Sequence, residues 1–135
     1  MKKLNTKTKG GKIIPFINKC DVLIVDDEPS FRDFIGKMIW SRFPNLRIQS
    51  AEDGLEGLKK AKAFKPRIVW TGVKMPRMDS LEMIELIRRD PDRKNTKIIV
   101  CTGCHTMKDV KTRALELGVD RFFPKPFDAT RPVNH

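Results

Sequence analysis

Five short apolar runs alternate with stretches of helical spacing along this chain, and no other feature narrows its fold as far. The first run, Val22-Leu-Ile-Val25, ends in Asp26 and Asp27, with Glu28 and Pro29 after them. Phe31, Phe34, Ile35, Met38, Ile39 and Phe43 then recur at helical intervals. That spacing predicts an amphipathic helix opening at Pro29-Ser30 and ended by Pro44-Asn45. Leu46 and Ile48 alternate with Arg47 and Gln49, the pattern of a half-exposed edge strand. Leu55, Leu58, Ala61 and Phe64 mark a second helix whose Lys59, Lys60 and Lys62 turn to solvent. Ile68–Trp70 is apolar throughout, so this third strand is expected at the centre of a sheet. Asp79 with Glu82 forms a pattern akin to a capping box ahead of Ile84 and Ile87. Ile98–Cys101 reads as the fourth strand. Met107, Val110, Ala114 and Leu117 give a fourth helix closed by Gly118, and Phe122-Phe123 the fifth strand. Strands alternating with helices in this way predict an α/β fold, a doubly wound five-stranded parallel sheet with helices on both faces. In such open sheets ligands bind outside the carboxyl ends of the strands. Adjacent acids there repel each other, and the usual remedy is a bound cation or a nearby lysine.

The 135 residues fit one domain with a sizeable core. No apolar run approaches the ~20 residues a membrane helix needs. The apolar piece from Ile13 to Ile17 is short and broken by Pro15, a poor export signal, so a cytoplasmic protein without a membrane partner is expected. Three cysteines fit reduced thiols rather than a disulfide framework. The net charge of +11 is unevenly placed: residues 1–20 carry six lysines and no acid. This basic leader reads as a solvated, flexible segment. It could hold nucleic acid through counterion release, but no aromatic residue interleaves its lysines closely enough to suggest a base-stacking site, which speaks against that partner.

Taken together, Asp26-Asp27, Met75-Pro76, Thr102 at the end of the fourth strand and Lys125-Pro126-Phe127 after the fifth resemble the receiver domains of two-component response regulators, the CheY-like family. The resemblance runs from about Asp21 to Phe127, leaving the leader and a short tail over 128–135. It implies the flavodoxin-like strand order 2-1-3-4-5 and a signalling module rather than an enzyme. A histidine kinase or another signalling protein would be its partner. In the family, an aspartate ending the third strand accepts a phosphoryl group, and Mg²⁺ is held by the acid pair, that aspartate and a backbone carbonyl two residues on. A carboxylate nucleophile becomes an acyl phosphate, and the metal offsets the charge. By resemblance Asp26 and Asp27 are the acid pair and Lys74 offers the carbonyl. Thr102 is the hydroxyl that closes on the phosphate, Lys125 the bridging ammonium and Phe122 the aromatic that follows the switch. Lys125-Pro126 is similar to the cis peptide found there.

The chain departs from this pattern at Gly72, which stands where the acceptor aspartate belongs. Glycine offers nothing to phosphorylate, and Thr71 points to the opposite face of its strand. Aspartyl phosphorylation is therefore expected to be lost and Mg²⁺ binding weakened, since a carboxylate ligand is missing. A second departure is the last helix, for which residues 128–135, with Pro132, leave room for at most about two turns. The sheet near the fourth helix and fifth strand would then favour a homodimer contact or docking of Ile13, Ile14, Phe16 and Ile17. Arg88-Arg89 and Arg93-Lys94 read as a solvated helix end. Two readings from other classes stay open: a nucleic-acid-binding protein acting through the leader, and a thiol redox sensor using Cys101 and Cys104. Cys101-Thr-Gly-Cys104-His105 also matches a haem-attachment pattern, against which stands Cys101's place within an apolar strand.

Overall fold

In the computed structural model, residues 6–9, 12–15, 20–73, 75–103 and 107–124 are described. Their main body is a five-stranded, all-parallel sheet with strands β1 (Val22–Val25), β2 (Ile48–Ala51), β3 (Ile68–Thr71), β4 (Lys97–Thr102) and β5 (Arg121–Pro124). The order across the sheet is β2-β1-β3-β4-β5, the order that the family resemblance implied. Helices α1 (Pro29–Arg42), α2 (Gly54–Phe64), α3 (Ser80–Arg89) and α4 (Met107–Glu116) connect successive strands. In the leader, Thr6–Lys9 pairs antiparallel with Lys12–Pro15, a hairpin that the spacing of its lysines did not announce.

Pleating sorts the strand residues into two cores. Leu23, Val25, Val69, Ile98 and Val100 face α2, α3 and α4, meeting Leu58, Ala61, Met83, Ile84, Ile87 and Ala114. Val22 and Ile24 face α1 with Phe31 and Ile35, flanked by Ile48, Ile68 and Trp70. Burying each such side chain is worth about 1.5–3 kcal/mol, so a one-residue slip of β1 would forfeit several of these contacts at once.

The helix ends follow from side chains close in sequence. Pro29 opens α1. Asp53 and Asp79 cap α2 and α3 by accepting the N–H groups of Glu56 (2.8 Å) and Glu82 (3.0 Å). Gly118, with φ of 74°, closes α4: its own N–H reaches Leu115 O and that of Val119 reaches Ala114 O, the paired bonds of a Schellman motif. β2 starts at Ile48, later than the alternation suggested, because Leu46 is still held in the turn after α1 through Phe43 O. On the outer edge of β2, Lys60 Nζ donates to Ser50 O at 2.6 Å.

Two arginines correct the picture of a solvated helix end. Arg93 is 8% exposed, donates to Ala61 O and Lys62 O at the end of α2, and pairs with Asp90. Arg88 donates to Lys94 O, Thr96 O, Leu117 O and Gly118 O, knitting α3 to the turns that precede β4 and β5. Carbonyls left over at helix ends and turns attract these guanidinium groups out of solvent. Arg89, paired with Glu85, is exposed as expected.

Candidate functional site

The register places Val25 beside Thr71, so the residues that follow, Asp26 and Gly72, lie together at the carboxyl edge of the sheet. Gly72 N–H donates to Val25 O at 2.8 Å and Asp26 N–H to Ala51 O at 3.1 Å. Asp26 is 2% exposed, whereas Asp27 lies open to solvent. Asp26 Oδ1 accepts the Glu28 N–H at 2.9 Å, and Arg32 Nη1 donates to Asp26 O at 2.6 Å, tying the acid to the first turn of α1.

The space at position 72 is taken. A β-carbon built on Gly72 would stand 2.7 Å from Asp26 Oδ2 and 3.3 Å from its Cγ, closer than side chains normally tolerate. Asp26 thus leans over the glycine and fills the volume in which any larger residue would begin. Thr71 does not compensate. It is fully buried, and its hydroxyl donates to Gly72 O at 2.9 Å.

The loop after Gly72 is fastened to α2. Arg77, in left-handed backbone conformation with φ of 67°, places Nε and Nη2 each 2.7 Å from Asp53 Oδ2. Gly54 N–H donates to Met78 O at 2.9 Å, an approach only glycine permits, since a β-carbon there would lie 2.2 Å from that carbonyl oxygen. Val73 and Met75 are buried beneath. Burial would raise the Asp53 carboxyl, but the Glu56 N–H and the Arg77 guanidinium outweigh it and hold the group below the usual carboxylate range. Sequence reasoning passed over this clamp. The spacing of Asp53 and Glu56, the same as that of Asp79 and Glu82, signals the cap that Asp53 makes, though not its partner Arg77.

Of the remaining residues singled out from sequence, Phe122 is half-buried and packs on the larger core. The backbone of Thr102 pairs with Pro124 at the same carboxyl edge as Asp26. The side chain of Thr102 and residues Lys74, Cys104, His105, Lys125 and Pro126 lie outside the described residues, as does the tail over 128–135. Cys101 is buried, as an apolar strand position requires. Cys20 is buried as well; burial pushes its thiol up, which disfavours the reactive thiolate.

A profile of the response regulator receiver domain matches residues 22–135. Among curated proteins, the chain is 32% identical over 116 residues to the hybrid signal transduction histidine kinase D of Dictyostelium discoideum, covering 86% of this chain and 7% of that protein. It is 32% identical over 112 residues to the Regulator of RpoS of Escherichia coli K12, covering 83% of this chain and 32% of that one. Among solved structures, the signal receiver domain of a DNA-binding response regulator from Colwellia psychrerythraea superposes with a TM-score of 0.73 at 26% identity, covering 82% of this chain and 89% of that one. A chemotaxis response regulator of Vibrio cholerae gives 0.71 at 26% identity, with 82% and 90% covered. The chain belongs to the response regulator receiver domain family. It spans about a third or less of the length of these two curated relatives.

Receiver domains bind Mg²⁺ at this acidic edge and interact with histidine kinases and other signalling proteins. Asp26 and Asp27 remain, Gly72 contributes no oxygen from a side chain, and no group of three potential ligands is close enough to hold a metal among the described residues. No helix among those residues is long and apolar enough to cross a membrane.

Proposed function

We propose that this chain is a cytoplasmic receiver module that acts through protein–protein contacts, with aspartyl phosphorylation closed at position 72 and Mg²⁺ affinity lowered. One observation carries the reading: Asp26 Oδ2 occupies the place where a β-carbon of residue 72 would sit. Phosphoryl transfer in this family needs a carboxylate nucleophile at the end of β3. Glycine has none, and Thr71 is engaged inside the protein. Without the added phosphoryl charge, the usual drive for drawing in the residues matching Thr102 and Phe122 is missing. Output then depends on a surface that is fixed, or set by a partner such as a histidine kinase. The region of α4 and β5 suits a partner or a homodimer, because Leu115 and Phe123 stand 55% and 43% exposed there.

Incubation with acetyl phosphate and Mg²⁺ followed by intact-mass measurement tests the proposal. The unaltered chain is expected to gain nothing, and Gly72→Asp one phosphoryl group together with tighter Mg²⁺ binding. A phosphoryl group on an acidic residue of the unaltered chain would overturn it. So would a Gly72→Asp protein that folds but neither binds the ion nor reacts.

A further inference from the structure

The flank of α1 that faces the outer strand has two features a single chain does not need. An open groove of about 490 Å³ runs between α1 and β2, from Pro29 and Arg32 in the first helical turn to Trp40 in the last, with Ile24 and Ile48 in its lining. Gly36 sits midway along it. Its backbone lies outside the left-handed region, and among the described residues a β-carbon there would meet only Ile24 Cδ1, at an ordinary 3.8 Å. Packing of the described residues therefore does not call for glycine, which weakens a helix interior more than any residue but proline. The second feature is aromatic. Trp40 is 61% exposed and Phe43, just past the helix end, 58%, so two large rings stay in water on this flank.

The spacing along the flank is symmetric. Pro29, Arg32, Gly36, Trp40 and Phe43 follow at intervals of three, four, four and three, which puts them on one side of the helix in a row that reads alike in both directions from Gly36. A two-fold axis at Gly36, with a second α1 running antiparallel, sets each member opposite another. Gly36 meets its own copy, Arg32 meets Trp40 and Pro29 meets Phe43, the last two pairings each made twice. The residue types suit these positions. Facing glycines let two backbones approach closely. A guanidinium over an indole ring is a favourable cation–π pair. Arg32 Nη1 donates to Asp26 O at 2.6 Å, a bond in the guanidinium plane that does not compete with stacking on its face. Proline against a phenyl ring buries apolar surface at either end. Asp33 and Lys37, also beside the groove, neutralise each other at 3.1 Å. A helix suits this place better than a strand, because Lys60 already holds the Ser50 carbonyl on the free edge of β2.

We propose that the chain forms a two-fold dimer through antiparallel α1 helices crossing at Gly36, with Trp40 of each copy seated in the groove of the other against Arg32. The surface of α4 and β5 then stays open to a different partner. Contact along a helix about 21 Å long is small among specific interfaces, so the dimer belongs in the micromolar range.

Sedimentation equilibrium of the full chain tests this, in about 0.3 M salt to screen the repulsion between two chains of net charge +11. Between about 1 and 300 μM the mass is expected to rise from 15.6 kDa toward twice that value. Gly36→Ala should leave the chain folded yet weaken the dimer by about tenfold or more, because a methyl group on each helix stands at the crossing. Trp40→Ala and Arg32→Gln should each weaken it by about fivefold or more. Leu115→Glu with Phe123→Glu should leave it unchanged. A chain that stays monomeric at about 300 μM would overturn the proposal. So would a dimer indifferent to Gly36→Ala and Trp40→Ala; if Leu115→Glu with Phe123→Glu dispersed it, the contact would lie at α4 and β5 instead.

Discussion

Gly72→Ala measures how firmly Asp26 holds its place over position 72. The backbone at Gly72 lies outside the left-handed region, so alanine is allowed there. Reduced freedom of the unfolded chain alone would then stabilise the variant by about 0.4–1 kcal/mol. Against this, the new β-carbon meets Asp26 Oδ2 at 2.7 Å. The carboxylate can retreat only by disturbing its bond from the Glu28 N–H, within a site that is almost fully buried. Overpacking of this kind costs about 1–3 kcal/mol, and a hydrogen bond to a charged group is worth about 1.5–3 kcal/mol. The expected net loss is about 1–2 kcal/mol, read in urea as a midpoint lowered by about 1 M with the slope unchanged. In an Asp26→Ala background the obstructing oxygen is gone, and the same Gly72→Ala change should be neutral or stabilising. The double-mutant cycle should therefore show a coupling of about 2 kcal/mol. Equal cost in both backgrounds would refute the claim that Asp26 fills the volume at position 72.

Three further outcomes are expected. Gly36→Ala, inside α1, should raise stability by about 1 kcal/mol in the same urea assay, because its β-carbon would meet Ile24 Cδ1 at an ordinary 3.8 Å. Arg93→Ala should cost about 2–4 kcal/mol, since it strips two carbonyls at the end of α2 of a charged donor and leaves Asp90 without its partner; thermal unfolding checks this. Asp53, held below its ordinary value of 3.8, stabilises the fold fully above that value and loses the contribution as pH falls through its depressed folded value. Asp53→Asn should therefore lower stability at neutral pH and flatten the acid limb of an unfolding-versus-pH curve.

Much of this was legible because the informative contacts are local. The apolar runs and their helical intervals placed every strand and helix of the sheet, and Asp79 and Gly118 announced the helix ends they make. The acid pair and the glycine at position 72 were visible as plain letters at strand ends. What escaped depends on distant neighbours. Arg77 meets Asp53 across 24 positions, and Arg93 reaches carbonyls of α2 more than 30 residues earlier. No periodicity encodes such pairs. Arg88 and Arg93 also carry a charge that ordinarily argues for solvent, and only the unpaired carbonyls around them reverse the expectation. That Asp26 would lean over Gly72, rather than leave a hollow, needed the register of β1 against β3.

Lys60 has a consequence for the chain's life in a crowded solution. An unguarded outermost strand invites another molecule to zip onto its backbone, the first step toward stacked aggregates. Here an ammonium group already sits on the Ser50 carbonyl, anchored from behind by Glu56. An incoming strand would have to evict a charge and then keep company with it. Lateral growth is thus discouraged on that flank, and encounters between molecules are steered to their side-chain surfaces.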